Sequence, residues 1–146
     1  MPESRMRVVA DTNIIVSGLF WHGTPRQVLD AARARVIDLY TSPLLLAELS
    51  DVLQRDKFAE RLASVGAHIE DLVMGYAALA KVIKPTTPVS AISADPDDNA
   101  VLECAIAARA DAIVSGDRHL LSLTHFRKIP ILTANKLLAR IPKANP

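Results

Sequence analysis

Four acidic side chains stand where carboxylates from distant parts of this chain could act together. Asp11 closes the apolar run Val8-Val9-Ala10, and Glu48 lies one helical turn into Ser42-Pro43-Leu44-Leu45-Leu46-Ala47-Glu48-Leu49. Asp98 belongs to Asp95-Pro96-Asp97-Asp98-Asn99, and Asp117 follows Ile113-Val114-Ser115-Gly116. Each falls just after an expected strand or on the helix that follows one. In an open parallel sheet such positions converge in a crevice beyond the carboxyl ends of the strands. Carboxylates crowded there repel one another and take up protons unless a cation neutralises them. Hard oxygen donors of this kind suit Mg²⁺ or Mn²⁺. The expectation is therefore a metal-dependent site holding one or two ions.

The elements that must position these acids alternate between two periodicities. Arg7 to Ala10 reads as a short strand, and Thr24-Pro25-Arg26-Gln27 as a capping box, with Thr24 as cap and Pro25 at the first helical position. The helix that follows runs to about Arg35, with Val28, Leu29 and Ala32 at helical spacing, and Val36 to Thr41 forms the second strand. Ser42 and Pro43 open the helix that carries Glu48. Residues 56 to 65 and 67 to 79 are expected as two helices split at Gly66, followed by a third strand from Lys81 to Lys84. Asp95-Pro96 opens a helix to about Arg109. Ala112 to Ser115 and Ile129 to Leu132 supply the fourth and fifth strands, and Ala134 to Arg140 a terminal helix. Strands alternating with helices indicate an α/β fold with a parallel sheet covered on both faces.

Size and composition narrow the functional classes. A chain of 146 residues that is 50% apolar and 23% charged suits one globular domain, with its core at about residues 7 to 140. No internal repeat or low-complexity tract divides it. The single cysteine, Cys104, lies in an apolar helix and reads as a core residue. With no apolar run near 18 residues and no signal-like start, a membrane span is not indicated and a cytoplasmic location is expected. Aromatics make up 4% of the chain, which argues against a base-stacking platform, so any nucleic acid would be held through its phosphates. Phe20-Trp21 and the helices within residues 57 to 79 fit equally with core packing or with a subunit contact.

A structural explanation of the acids competes with the chemical one. Helix N-termini recruit Asp for capping and for the dipole, which would account for Asp11, for Asp117 and for one of Asp95, Asp97 and Asp98. Helical phase separates the last group. Asp98 precedes Val101, Leu102 and Ala105 by three, four and seven residues and shares their inward face, whereas Asp97 points about 100° away. Asp98 is thus the expected ligand and Asp97 the expected cap. Glu48 lies too deep in its helix to cap it, and it borders the stripe formed by Leu45, Leu49 and Val52, where an unpaired carboxylate is costly. Asp51 on the same helix is expected to be solvated.

Taken in order, these four segments resemble the PIN domain, and most closely the VapC-like toxin components of bacterial and archaeal toxin–antitoxin pairs. The resemblance spans about residues 7 to 140. It implies a three-layer α/β/α fold around a five-stranded parallel sheet and a Mg²⁺- or Mn²⁺-dependent endoribonuclease that is usually a homodimer and is paired with an antitoxin protein. It places the family's acids at Asp11, Glu48, Asp98 and Asp117, with Thr12, Asn13 and Ser115 as the small polar residues that support them. On this reading Asp11 is shared between ions about 4 Å apart, Asp98 and Asp117 complete one site, and Glu48 binds a second ion or orients the water. Arg26, Arg118 and Lys136 are candidates to hold the RNA backbone at the crevice mouth. His119 is more simply a solvated loop residue. His22, His68 and His125 show no ligand spacing.

Other classes fit less well. A dehalogenase-like phosphatase needs a second Asp two residues after the first, where this chain has Asn13, and a phosphorylated receiver needs an acceptor Asp where it has Ile83-Lys84-Pro85. The remaining alternative is a PIN-like module that binds RNA or protein without cutting.

Overall fold

The computed structural model describes residues 5–89 and 96–141, the side chains of 96 and 97 excepted. Asp95 and the side chain of Asp97, the expected cap, lie outside the described residues. In chain order the elements are β1 (Met6–Ala10), α1 (Thr12–Phe20), α2 (Thr24–Arg33), β2 (Ile37–Thr41), α3 (Pro43–Leu53), a 3₁₀ turn (Asp56–Phe58), α4 (Ala59–Val65), α5 (Ile69–Leu79), β3 (Lys81–Val82), α6 (Pro96–Ala108), β4 (Ala112–Val114), α7 (Arg118–Leu123), β5 (His125–Phe126), β6 (Ile129–Leu132) and α8 (Ala134–Arg140). The sheet order is β3-β2-β1-β4-β6-β5.

The expected five parallel strands are present, and a sixth is added: β5 pairs antiparallel with β6 at the sheet margin. The two residues between them, Arg127 and Lys128, both have positive φ, as a type I′ hairpin requires. Lacking the usual Asn or Gly, this turn leaves no hairpin signature in the sequence.

Alternation along the strands produces the three layers. Val8 and Ala10 of β1 and Ala112 and Val114 of β4 pack into one core with α1, α2, α3 and α8. Val9 and Ile113 face the other way, into a second core with Val101, Leu102, Cys104 and Ala105 of α6. Burial pushes the Cys104 thiol up to about 12, so it is a protonated core group at neutral pH.

Several helix starts differ in detail from expectation. The N-cap of α2 is Gly23 at φ 136°, with Thr24 already helical, so the predicted capping box does not form. Helix α1 is buried at Ile14, Ile15, Val16, Gly18 and Phe20, and this all-round apolarity hides it from a search for an amphipathic stripe. A Cβ at Gly18 would lie 2.7 Å from Leu29 Cδ1 and 3.0 Å from the Pro25 carbonyl oxygen, so glycine permits the close approach of α1 and α2. Phe20 is core, whereas Trp21, Val65 and Met74 are exposed. Among the described residues no helix is long and apolar enough to cross a membrane.

Candidate functional site

The site forms where the sheet changes direction of growth. Strand β1 pairs with β2 on one side and β4 on the other, so the segments leaving the carboxyl ends of β1 and β4 diverge and open a crevice between them. Asp11 is the first residue beyond β1, and its N–H donates to the Val114 carbonyl at 3.0 Å. That bond extends the β1–β4 ladder to the point where the chain turns into α1. Ser115 continues beyond β4, tied by its N–H to the Leu132 carbonyl at 2.9 Å. Ser42 follows β2 and caps α3 by accepting from the Leu45 N–H at 3.2 Å, which starts the helix that carries Glu48.

Asp11, Glu48, Asp98 and Asp117 border a single cavity of about 70 Å³, together with Thr12, Asn13 and Val101. Phase places Asp98 inward, as expected; both it and Asp11 are only 6% exposed. Two carboxylates buried to that depth are costly unless hydrogen bonds or a cation offset the loss of water.

Part of that compensation is supplied by neighbouring hydroxyls and amides. Asp11 Oδ1 accepts the Ile14 N–H at 3.0 Å, and Oδ2 accepts the hydroxyl of the fully buried Ser115. Ser115 Oγ in turn accepts the Asp117 N–H at 2.9 Å, so one hydroxyl spaces two of the acids. Thr12 Oγ1 donates to Glu48 Oε2 at 2.7 Å, linking α1 to α3. Asp117 Oδ1 accepts the His119 N–H at 3.2 Å. Asp11 and Asp117 therefore do cap helices, as the structural explanation of these acids requires. A carboxylate offers about four lone-pair directions, so capping leaves capacity toward the cavity. Burial, with a smaller push from the Asp117 carboxylate, holds the Asp11 carboxyl above its ordinary value against the opposing hydrogen bonds.

The donor chemistry fits a hard divalent cation. Among the described residues no three Asp, Glu, His or Cys side chains form a closed ligand cluster; the four acids share a rim instead. Mg²⁺ is commonly bound this way, through one or two carboxylates with water and substrate phosphate completing its shell. The cavity is several times the roughly 10–15 Å³ that one water needs. A larger space of about 300 Å³, lined by Pro43, Leu44, Pro85 and Pro88, offers only Lys84 and Glu103 as charged groups, and Glu103 accepts the Val89 N–H there.

The three basic candidates separate. Arg118 lines an adjoining cavity of about 530 Å³ with Asn13, Asp117 and His119. Ser17 also lines it, one helical turn after Asn13 on the less buried side of α1. Sequence reasoning missed Ser17 because α1 itself was hidden. Arg26 turns away from the crevice: its Nε and Nη2 donate to the Gly18 and Leu19 carbonyls, both at 2.9 Å, and close the end of α1. Its expected phosphate role gives way to this capping contact. Lys136 is exposed on α8 and lines neither cavity.

The PIN domain profile matches residues 7–119. The chain belongs to the PIN domain family. Among solved structures, VapBC2 from Rickettsia felis, bound to a DNA fragment from its promoter, aligns with a TM-score of 0.57 at 16% identity, covering 86% of this chain and 97% of that one. The T. brucei RRP44 PIN domain aligns with a TM-score of 0.45 at 16% identity, over 94% of this chain and 81% of that one. No curated protein sequence matches significantly. The likeness to VapBC2 is one of fold, and it supports the PIN-like three-layer architecture.

Proposed function

We propose that this PIN domain is a Mg²⁺- or Mn²⁺-dependent endoribonuclease and the toxin of a toxin–antitoxin pair. The observation that carries the reading is the convergence of Asp11, Glu48, Asp98 and Asp117 on one small polar cavity at the sheet's switch point. Family membership supports it, since PIN domains are generally metal-dependent nucleases.

A divalent ion bound there would neutralise a phosphodiester's nonbridging oxygens and lower the pKa of a water to make it nucleophilic near neutral pH. The protein's residues do the rest. Asp11, Asp98 and Asp117 would hold the cation with their inward oxygens. Ser115 fixes the spacing of Asp11 and Asp117 through its hydroxyl. Thr12 holds the Glu48 carboxylate through Oε2, and Glu48 would orient a water or take its proton. Arg118, at the neighbouring rim, would meet the RNA backbone.

An antitoxin protein covering the crevice and a homodimer are parts of the same proposal, drawn from the resemblance to VapC-like proteins. The test is incubation of the protein with total RNA, with Mg²⁺ or Mn²⁺ and with EDTA, beside Asp11→Asn and Asp98→Asn. Cutting should require the metal and fall at least 100-fold in both variants while their circular dichroism is unchanged. Cutting that survives in both variants would remove the proposed site, and metal-independent RNA binding without cutting would favour a non-catalytic module.

A further inference from the structure

At the opposite, amino edge of the sheet the chain gathers positive charge. A cleft of about 400 Å³ between β2, α5 and the start of β1 is bordered by Arg5, Arg33, Arg35 and Lys81, with Asp38 as its acidic member. Asp38 accepts from Arg5 and Lys81 at 3.3 Å each, and Arg33 pairs with Asp30 at 2.8 Å. Further along the same edge stand Arg109, just before β4, and Arg127 and Lys128, in the turn that enters β6. Asp111, the acid nearest Arg109 in sequence, accepts the Arg7 N–H. In a chain whose formal charge is only +1, this edge is strongly basic and the carboxyl edge strongly acidic.

Backbone conformation makes the pattern more telling. Among the described residues five non-glycines have positive φ, and four of them are Arg35 (60°), Arg109 (51°), Arg127 (48°) and Lys128 (68°). Left-handed backbone is strained for an L-residue, and glycine or asparagine meets it more easily. All four are exposed. Among the described residues the side chains of Arg35, Arg109 and Lys128 make no hydrogen bond or ion pair, and Arg127 only overlies the Phe126 ring. Arg35 and Arg109, just past the ends of α2 and α6, complement those helix dipoles, whereas Arg127 and Lys128, in the hairpin turn, serve no helix end.

The four span the strand order from β2 across β1, β4 and β6 to β5, roughly 20 Å at ordinary strand spacing. A row of exposed, mostly arginine cations along one edge suits a phosphodiester chain, whose phosphates Arg binds through a planar fork. We propose that the amino edge of the sheet binds the phosphodiester backbone of nucleic acid at a site separate from the acidic cavity. The two sites stand apart by the length of β1, roughly 16 Å. A polyanion repelled by the carboxylates is thereby held to the molecule by the opposite edge.

The test is equilibrium binding of a fluorescein-labelled 20-nucleotide RNA and of the DNA of the same sequence, across a salt series in EDTA. It compares the full chain with the variant Arg35→Gly, Arg109→Gly, Arg127→Gly, Lys128→Gly. Because binding is read without metal, the outcome does not depend on the nuclease proposal. Glycine suits these backbone positions, so the variant should keep its thermal midpoint; the matching asparagine set serves if it does not fold. Affinity at 50 mM salt should fall at least tenfold for both strands. The slope of log K against log salt should flatten by about 3, the loss of four contacts at about 0.7 each. An unchanged affinity and slope would overturn the proposal. So would a loss confined to RNA, since both strands carry the same phosphates, or competition by poly-glutamate as strong as by RNA, which would mark a site for an acidic protein segment.

Discussion

The two ends of one sheet are built by different means. At the carboxyl edge the charged groups are set by strand ends and held by one another's neighbours: Ser115 bridges Asp11 and Asp117, and Thr12 holds Glu48. At the amino edge Arg35, Arg109, Arg127 and Lys128 sit in turns, exposed, on left-handed backbone, with few partners. Buried acids must be compensated, so their positions are overdetermined. Exposed cations need no such compensation, and these four make few contacts that would fix their side chains. If both proposals hold, a site for chemistry and a site for holding share one scaffold, with rigidity invested only where atoms must be placed.

If the acidic edge depends on mutual support, removing a support should act almost like removing an acid. Ser115→Ala takes away one hydroxyl that serves both the Asp11 carboxylate and the Asp117 backbone N–H, and we expect divalent-ion affinity to fall about 10–100-fold, the range typical of groups that orient metal ligands. Thr12→Val should cost less, because Thr12 holds Glu48 alone. Metal titration of both variants checks this order; equal and negligible effects would mean that the hydroxyls only fill space.

A smaller effect concerns stability without metal. Burial raises the Asp11 pKa above 3.8, so the folded state binds this proton more tightly than the unfolded chain does. Stability therefore falls as pH climbs from below 3.8 through the raised folded value. Asp11→Asn removes that fall. Thermal melts in EDTA should show the variant gaining on the parent at pH 8 relative to pH 4, and a difference independent of pH would contradict the account of Asp11.

Much of this was legible in the sequence, and the gaps have physical causes. The five parallel strands show as short apolar runs, and helical phase singles out Asp98 over Asp97. The acids' convergence follows from parallel topology alone. Helix α1 escaped because Thr12–Phe20 is apolar on nearly every face, and β5 because a two-residue strand reached through Arg127-Lys128 carries neither pattern nor turn signal. The role of Arg26 depended on where α1 ends, and so went with it. The bond from Thr12 to Glu48 joins residues 36 apart, and the basic edge joins turns scattered over most of the chain. A near-neutral total charge conceals such a separation.

The most direct measurement is titration of the metal-free protein with Mn²⁺, followed by calorimetry or by the electron paramagnetic resonance of the free ion, for the parent chain and for Asp98→Asn. Asp98 is the acid whose inward placement rests on helical phase and whose burial the structure bears out. The account predicts saturable binding by the parent at one or two ions per chain and at least tenfold weaker binding by the variant with its fold retained. Equal binding by the two proteins, or none by the parent, would contradict a cation held jointly by the four carboxylates.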